Sequence, residues 1–248
     1  MGKVIMSGIV KPVTKPLSGI PASEFAVGST VKLMMNGTAT DFLVVNQGVP
    51  SPSGLYDASC DGTWLLSKDL YELKTWHSSN VNSYKSSTIH TYLNGDFFNT
   101  LGSIEQSSIR QVKIPYVNGN GSSGSVASGA SGLSTKVFLL SLYETGYYND
   151  GITYENFFVD GAKLSYFVKG DGTEARNQRV AYYNGTGTYW WTRSPCQGAT
   201  TNVYHIRLSN SGFGGTKPSE NNYGIRPALV LPSNALFDKN TLLLKGVA

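Results

Sequence analysis

The chain is poor in cysteine, charge and histidine, and each shortage removes a class of function. Only Cys60 and Cys196 are present, too few for a disulfide framework and without the C-x-x-C spacing of zinc or redox sites. They either form a single bridge or stay apart as buried free thiols. Charged residues are 15% of the sequence, where an ordinary soluble domain has roughly 25%, so the surface must be built from uncharged polar groups. The 20 Lys and Arg and the 16 Asp and Glu are scattered singly, and no basic stripe exists for a nucleic-acid backbone. His77, His90 and His205 show no H-x-x-x-H or H-E-x-x-H spacing. A G-x-S-x-G nucleophile motif is missing, and the Gly-rich stretch 119–132 lacks the Lys and helix of a phosphate loop. No enzymatic activity is expected. No segment approaches the roughly 18 apolar residues of a membrane span, and Pro12, Pro16 and Pro21 occupy the place of a signal-type apolar segment. The expectation is a chain that neither spans a membrane nor carries a leader.

What is abundant is Gly, Ser, Asn, Thr and aromatic residues. Residues 1–26 read as an extended arm broken by prolines, and 27–248 as one domain. The domain opens with residues 29–35, an Asn36-Gly37 turn and residues 42–46, the strongest short-range hairpin signal. Trp64-Leu65-Leu66 reads as a strand. Ser87 caps a helix whose apolar positions are Ile89, Tyr92, Leu93 and Phe97, and a second short helix follows at 104–109. Residues 111–116 read as a strand and 118–134 as a flexible surface loop. Residues 136–142 are a buried strand, 147–161 an irregular acidic loop, and the final third consists of short apolar pieces separated by turns. The pattern is α+β with a small antiparallel sheet.

Two blocks stand out: Tyr189-Trp190-Trp191-Thr192-Arg193-Ser194-Pro195 and Tyr223-Gly224-Ile225-Arg226-Pro227-Ala228. With Trp64-Leu65-Leu66 they resemble a family of uncharacterised domains common in gut Firmicutes and their prophages, over nearly the whole chain from Gly28. The late block also resembles the C-type-lectin-like fold of formylglycine-generating enzymes and phage tropism determinants. That resemblance implies an early hairpin, two helices, a small twisted sheet and long irregular loops. It does not carry over the chemistry: Cys60 and Cys196 do not match the enzymes' cysteines, and the calcium-binding E-P-N, Q-P-D and W-N-D motifs are absent. Independently of any resemblance, Arg193 and Arg226 lie in apolar runs, where an Arg either ties loops through carboxylates and carbonyls or contacts a ligand.

In residues 203–208, alternation sets Tyr204, Ile206 and Leu208 on a packing face and His205, Arg207 and Ser209 on a displayed one. The Asn-, Ser-, Gly- and aromatic-rich stretches that follow have the composition of adaptable recognition surfaces. In the phage proteins the region before the late block contacts receptors, which the resemblance transfers to Gln197, Asn202, His205, Arg207, Asn210, Phe213, Asn221 and Asn222. Asn149, Asp150, Glu155, Asn156 and Asp160 could offer oxygen ligands to a structural Ca²⁺, the one cofactor candidate, but their spacing matches no calcium-loop motif, and the ordinary reading is a solvated acidic loop with no metal. The leading expectation is a virion-associated recognition module. It would be attached by its arm to other virion proteins and would bind a host-surface glycan or protein. The alternatives are a structural decoration protein and a glycan hydrolase pairing Asp150 with Asp160 or Glu155.

Overall fold

The computed structural model describes residues 17–147, 157–170, 172–207 and 212–248. The hairpin forms as the sequence dictates: Asn36 and Gly37 adopt φ of 49° and 75°, the positive pair that a tight two-residue turn requires. It joins Thr30–Met35 to Thr38–Gln47 in register from Thr30↔Leu43 to Met35↔Thr38. Val31, Leu33 and Met35 point inward while their neighbours stay half exposed.

This hairpin forms one edge of a five-stranded antiparallel sheet in the order Val137–Phe138, Ala228–Leu231, Thr63–Ser67, Thr38–Gln47, Thr30–Met35. All five residues of Thr63–Ser67 are buried. Trp64 stands edge-on to Tyr56 and Phe138 with ring centroids 5.6 and 5.5 Å away, and its Nε1 donates to the Cys60 carbonyl. A second five-stranded sheet runs Phe213–Thr216, Val203–Ile206, Trp190–Pro195, Tyr223–Gly224, Leu73–Lys74. Among the described residues of this sheet, only the contact between Trp190–Pro195 and Tyr223–Gly224 is parallel. The helices Thr88–Asn94, Asp96–Thr100, Ser103–Ser108 and Thr173–Arg179 are short. The architecture is thus mixed and strand-rich, with open sheets and a few short helices.

Ser87 Oγ accepts from the His90 amide as the expected cap, but Gly95 ends the first helix, so the single helix expected through Phe98 is two. Pro115 likewise divides the strand expected at 111–116 into Val112–Ile114 and Tyr116–Asn118. Residues 20–22, expected to belong to the arm, pack into the domain: Ile20–Pro21 pairs with Ala235–Phe237, and Ala22 is fully buried. Residues 118–134 are not a flexible loop. Tyr116–Asn118 pairs with Ser125–Ala127, and Leu133–Thr135 with Val112–Ile114. Glycine allows close packing there, since any side chain at Gly121 would run into the carbonyls of Cys196 and Ala199.

Arg193 and Arg226 prove to be ties. All five N–H groups of Arg193 are used: Nε donates to Pro115 O, Nη1 to Leu139 O and Glu144 Oε2, Nη2 to Glu144 Oε1 and Asp160 O. Glu144 is also the acceptor for the Tyr56 hydroxyl and the Ser141 amide. Arg226 Nε and Nη2 donate to the carbonyls of Ser67 and Lys68, linking the late block to the first sheet. Cys60 and Cys196 are separate, free and buried, and burial pushes each thiol up to about 12.

Candidate functional site

The second sheet gathers one row of side chains. Directly opposed residues on neighbouring strands share a face, and the registers Lys74↔Tyr223, Trp191↔His205 and His205↔Gly214 set these positions across five strands. Tyr223 brings the two halves of the row together, its ring 4.8 Å from Trp191 and 4.6 Å from His205. Tyr189, two residues before Trp191, stacks on His205 at 5.6 Å and meets Tyr223 edge-on at 5.5 Å. Trp191 Nε1 donates to the Lys74 carbonyl, which fixes the edge strand against the row.

His205 is the floor of this layer at 1% exposure, and Tyr189, Tyr223 and Arg207 are its half-buried rim. Arg207 Nε donates to His205 Nε2 at 3.2 Å. Because guanidinium only donates, the imidazole proton belongs on Nδ1, which is buried without a hydrogen-bond partner. Burial and then the neighbouring Arg207 charge push His205 down to about 4, so it is neutral at pH 7. Gly214 makes room: a side chain there would collide with the Arg207 guanidinium.

Lys74, opposite Tyr223 at the end of the row, also lines a cavity of about 370 Å³ with Ser86, Thr88, Thr91, Tyr92, Gly95 and Asp96. The helix Thr88–Asn94 buries Ile89 and Leu93 and turns Thr88, Thr91 and Tyr92 to the cavity, as a spacing of three and four residues requires. Lys74 Nζ sits 4.4 Å from the Tyr92 ring centroid and 3.3 Å from Glu72 Oε1. The cavity therefore offers hydroxyls, a carboxylate, an ammonium group and an aromatic face. It can hydrogen-bond a polyhydroxylated ligand at several points.

This whole constellation lies within residues 61–233, which match the family described as Domain of unknown function (DUF6273). The chain belongs to that family. No curated protein and no solved structure matches it. The DUF6273 match leaves out the hairpin Thr30–Met35/Thr38–Gln47 and includes both Arg-containing blocks, so the family region is the part that builds the row and the cavity.

Of the residues proposed from sequence, His205 and Arg207 meet in the row, but His205 is buried rather than displayed, because the aromatic rings pack over it. Phe213 lies on the opposite face, half-buried among Tyr147, Phe157 and Tyr204 at 4.8, 5.8 and 5.6 Å. It pairs with Ile206, one residue out of phase with His205. Gln197 and Asn222 are exposed. Asn221 Nδ2 donates to Thr216 Oγ1, and the Asn202 carbonyl accepts from Asn82 Nδ2 and the Cys196 amide, so both shape turns. Asn210, with Asn149, Asp150, Glu155 and Asn156, falls outside the described residues. Asp160 is not part of a solvated loop: it is fully buried, accepts from Ser194 Oγ at 2.7 Å, and burial pushes it up to about 6 against the pull of Arg193. Sequence reasoning missed Lys74, Tyr92 and Tyr189 as site members. The Tyr189-x-Trp191 alternation was the available signal.

Proposed function

We propose that this chain is a non-enzymatic recognition module, with a C-type-lectin-like arrangement, that binds a host-surface glycan on behalf of a phage or prophage virion. The observation that carries the reading is the aromatic row together with the hydroxyl-lined cavity that shares Lys74 with it. Sugars are held by stacking of their C–H faces on aromatic rings and by hydrogen bonds from hydroxyls and carboxylates, and the cavity residues supply both. The placement on a virion rests on the resemblance of the W-W-x-R-S-P and G-x-R-P-A blocks to prophage domains, with the N-terminal residues attaching the module to other virion proteins.

The test is a glycan array and a whole-cell binding assay on gut Firmicutes, with Lys74→Ala, Thr91→Val and Arg207→Ala beside the parent protein. Binding by the parent, reduced at least tenfold by Lys74→Ala or Thr91→Val at unchanged melting temperature, is the expected result. Absence of binding to any glycan or cell would overturn the reading in favour of a decoration role in the particle. Undiminished binding by all three variants would move the site elsewhere.

A further inference from the structure

Arg226 presents a second, separate binding opportunity. It is 1% exposed, and its Nε and Nη2 are spent on the carbonyls of Ser67 and Lys68. Its Nη1 is buried without a hydrogen-bond partner, and no carboxylate among the described residues forms an ion pair with it. A guanidinium removed from water with no carboxylate in ion-pair contact is costly, and Asp69 acts on it only from beyond that distance, which contrasts with Arg193 and its bidentate Glu144. The Trp190 ring, 5.2 Å from the Arg226 Cζ, compensates only in part.

The same residue lines a cavity of about 180 Å³ together with Leu43, Lys68, Asp69, Tyr166, Val180 and Tyr182. A water molecule's share of liquid volume is about 30 Å³, so the space suits a small organic molecule. The charges decide its class. Arg226 and Lys68 against Asp69 leave the lining one positive charge in excess, and Asp41, 3.4 Å from Lys68 Nζ, is already engaged by Lys32 at 3.2 Å. That matches a singly charged anion and disfavours doubly charged phosphate. Leu43, Val180 and the tyrosine rings supply apolar walls for a short tail.

We propose that this cavity binds a small organic carboxylate, held by the Arg226 guanidinium and Lys68 with its carbon chain against Leu43 and Val180. The site lies against Trp190, whose neighbour Trp191 belongs to the aromatic row, and it does not depend on the glycan reading.

The experiment titrates the intact protein with butyrate, and separately with phosphate and chloride at matched ionic strength. It follows the melting temperature and the Arg226 Nε–H resonance. Butyrate at tenfold its Kd should raise the melting temperature by about 3 °C and shift the Arg226 resonance. Lys68→Ala, an exposed position that should leave folding intact, should weaken the apparent Kd at least fivefold, and Arg226→Gln should abolish the response. An equal or larger response to phosphate would overturn the carboxylate assignment. An unmoved Arg226 resonance with butyrate, or a Lys68→Ala protein that responds like the parent, would overturn the site.

Discussion

Replacing Glu144 by Gln keeps the shape of the side chain and removes its charge, which makes it the sharpest probe of how the two sheets are held. Glu144 is fully buried and accepts four hydrogen bonds, two from Arg193 at 2.6 and 2.7 Å, one from the Tyr56 hydroxyl and one from the Ser141 amide. The amide of Gln turns one acceptor into a donor, so at least one buried N–H or O–H now faces another donor. Arg193 also keeps its charge without its bidentate carboxylate, with only the Asp160 carboxyl left nearby to offset it. Breaking a buried ion pair from one side costs about 3–5 kcal/mol, a large part of the 5–15 kcal/mol that stabilises a typical domain. Urea unfolding followed by tryptophan fluorescence should show that loss in Glu144→Gln. A cycle with Arg193→Met completes the test, because the double variant should lose at least about 2 kcal/mol less than the sum of the singles. A Glu144→Gln loss below about 1 kcal/mol, or additive singles, would refute the reasoning.

The remaining predictions concern titration and reactivity. His205 stays neutral in the fold with its value pushed down to about 4, so its contribution is complete above about 6.5 and is lost as pH falls toward 4. Between pH 7 and 5 the parent should lose about 2 kcal/mol more stability than His205→Gln, measured by urea unfolding at each pH. Equal losses would contradict the burial argument. Asp160 works in the opposite sense: raised to about 6, it favours the fold below the ordinary carboxylate range and loses that advantage as pH rises through 6. Asp160→Asn should therefore lose about 1 kcal/mol more than the parent over the same interval. Both thiols should resist a disulfide reagent at pH 8 in the native protein and react fully in denaturant. Rapid native labelling of either would contradict their burial.

The sequence alone determined whatever is decided within a few residues. Asn36-Gly37 fixed the hairpin because only such a pair accepts two positive φ values, and Ser87 fixed a helix start because its hydroxyl reaches the His90 amide. The two Arg-containing blocks marked the ties that join distant segments, since an Arg in an apolar run must use its donors. Which partners they found was invisible: Pro115, Leu139, Glu144 and Asp160 are 33 to 78 residues from Arg193. The binding surface was half legible for the same reason. Alternation put His205 and Arg207 on one face, but strand pairing between residues 74, 191, 205, 214 and 223 decided that this face would be an aromatic layer sharing Lys74 with the cavity. The Gly-rich stretch 118–134 was misread because composition measures freedom of the isolated chain. In the folded protein the absence of side chains lets Gly121 press against the 196–199 turn, with Asn82 bonded to both, and close packing replaces flexibility.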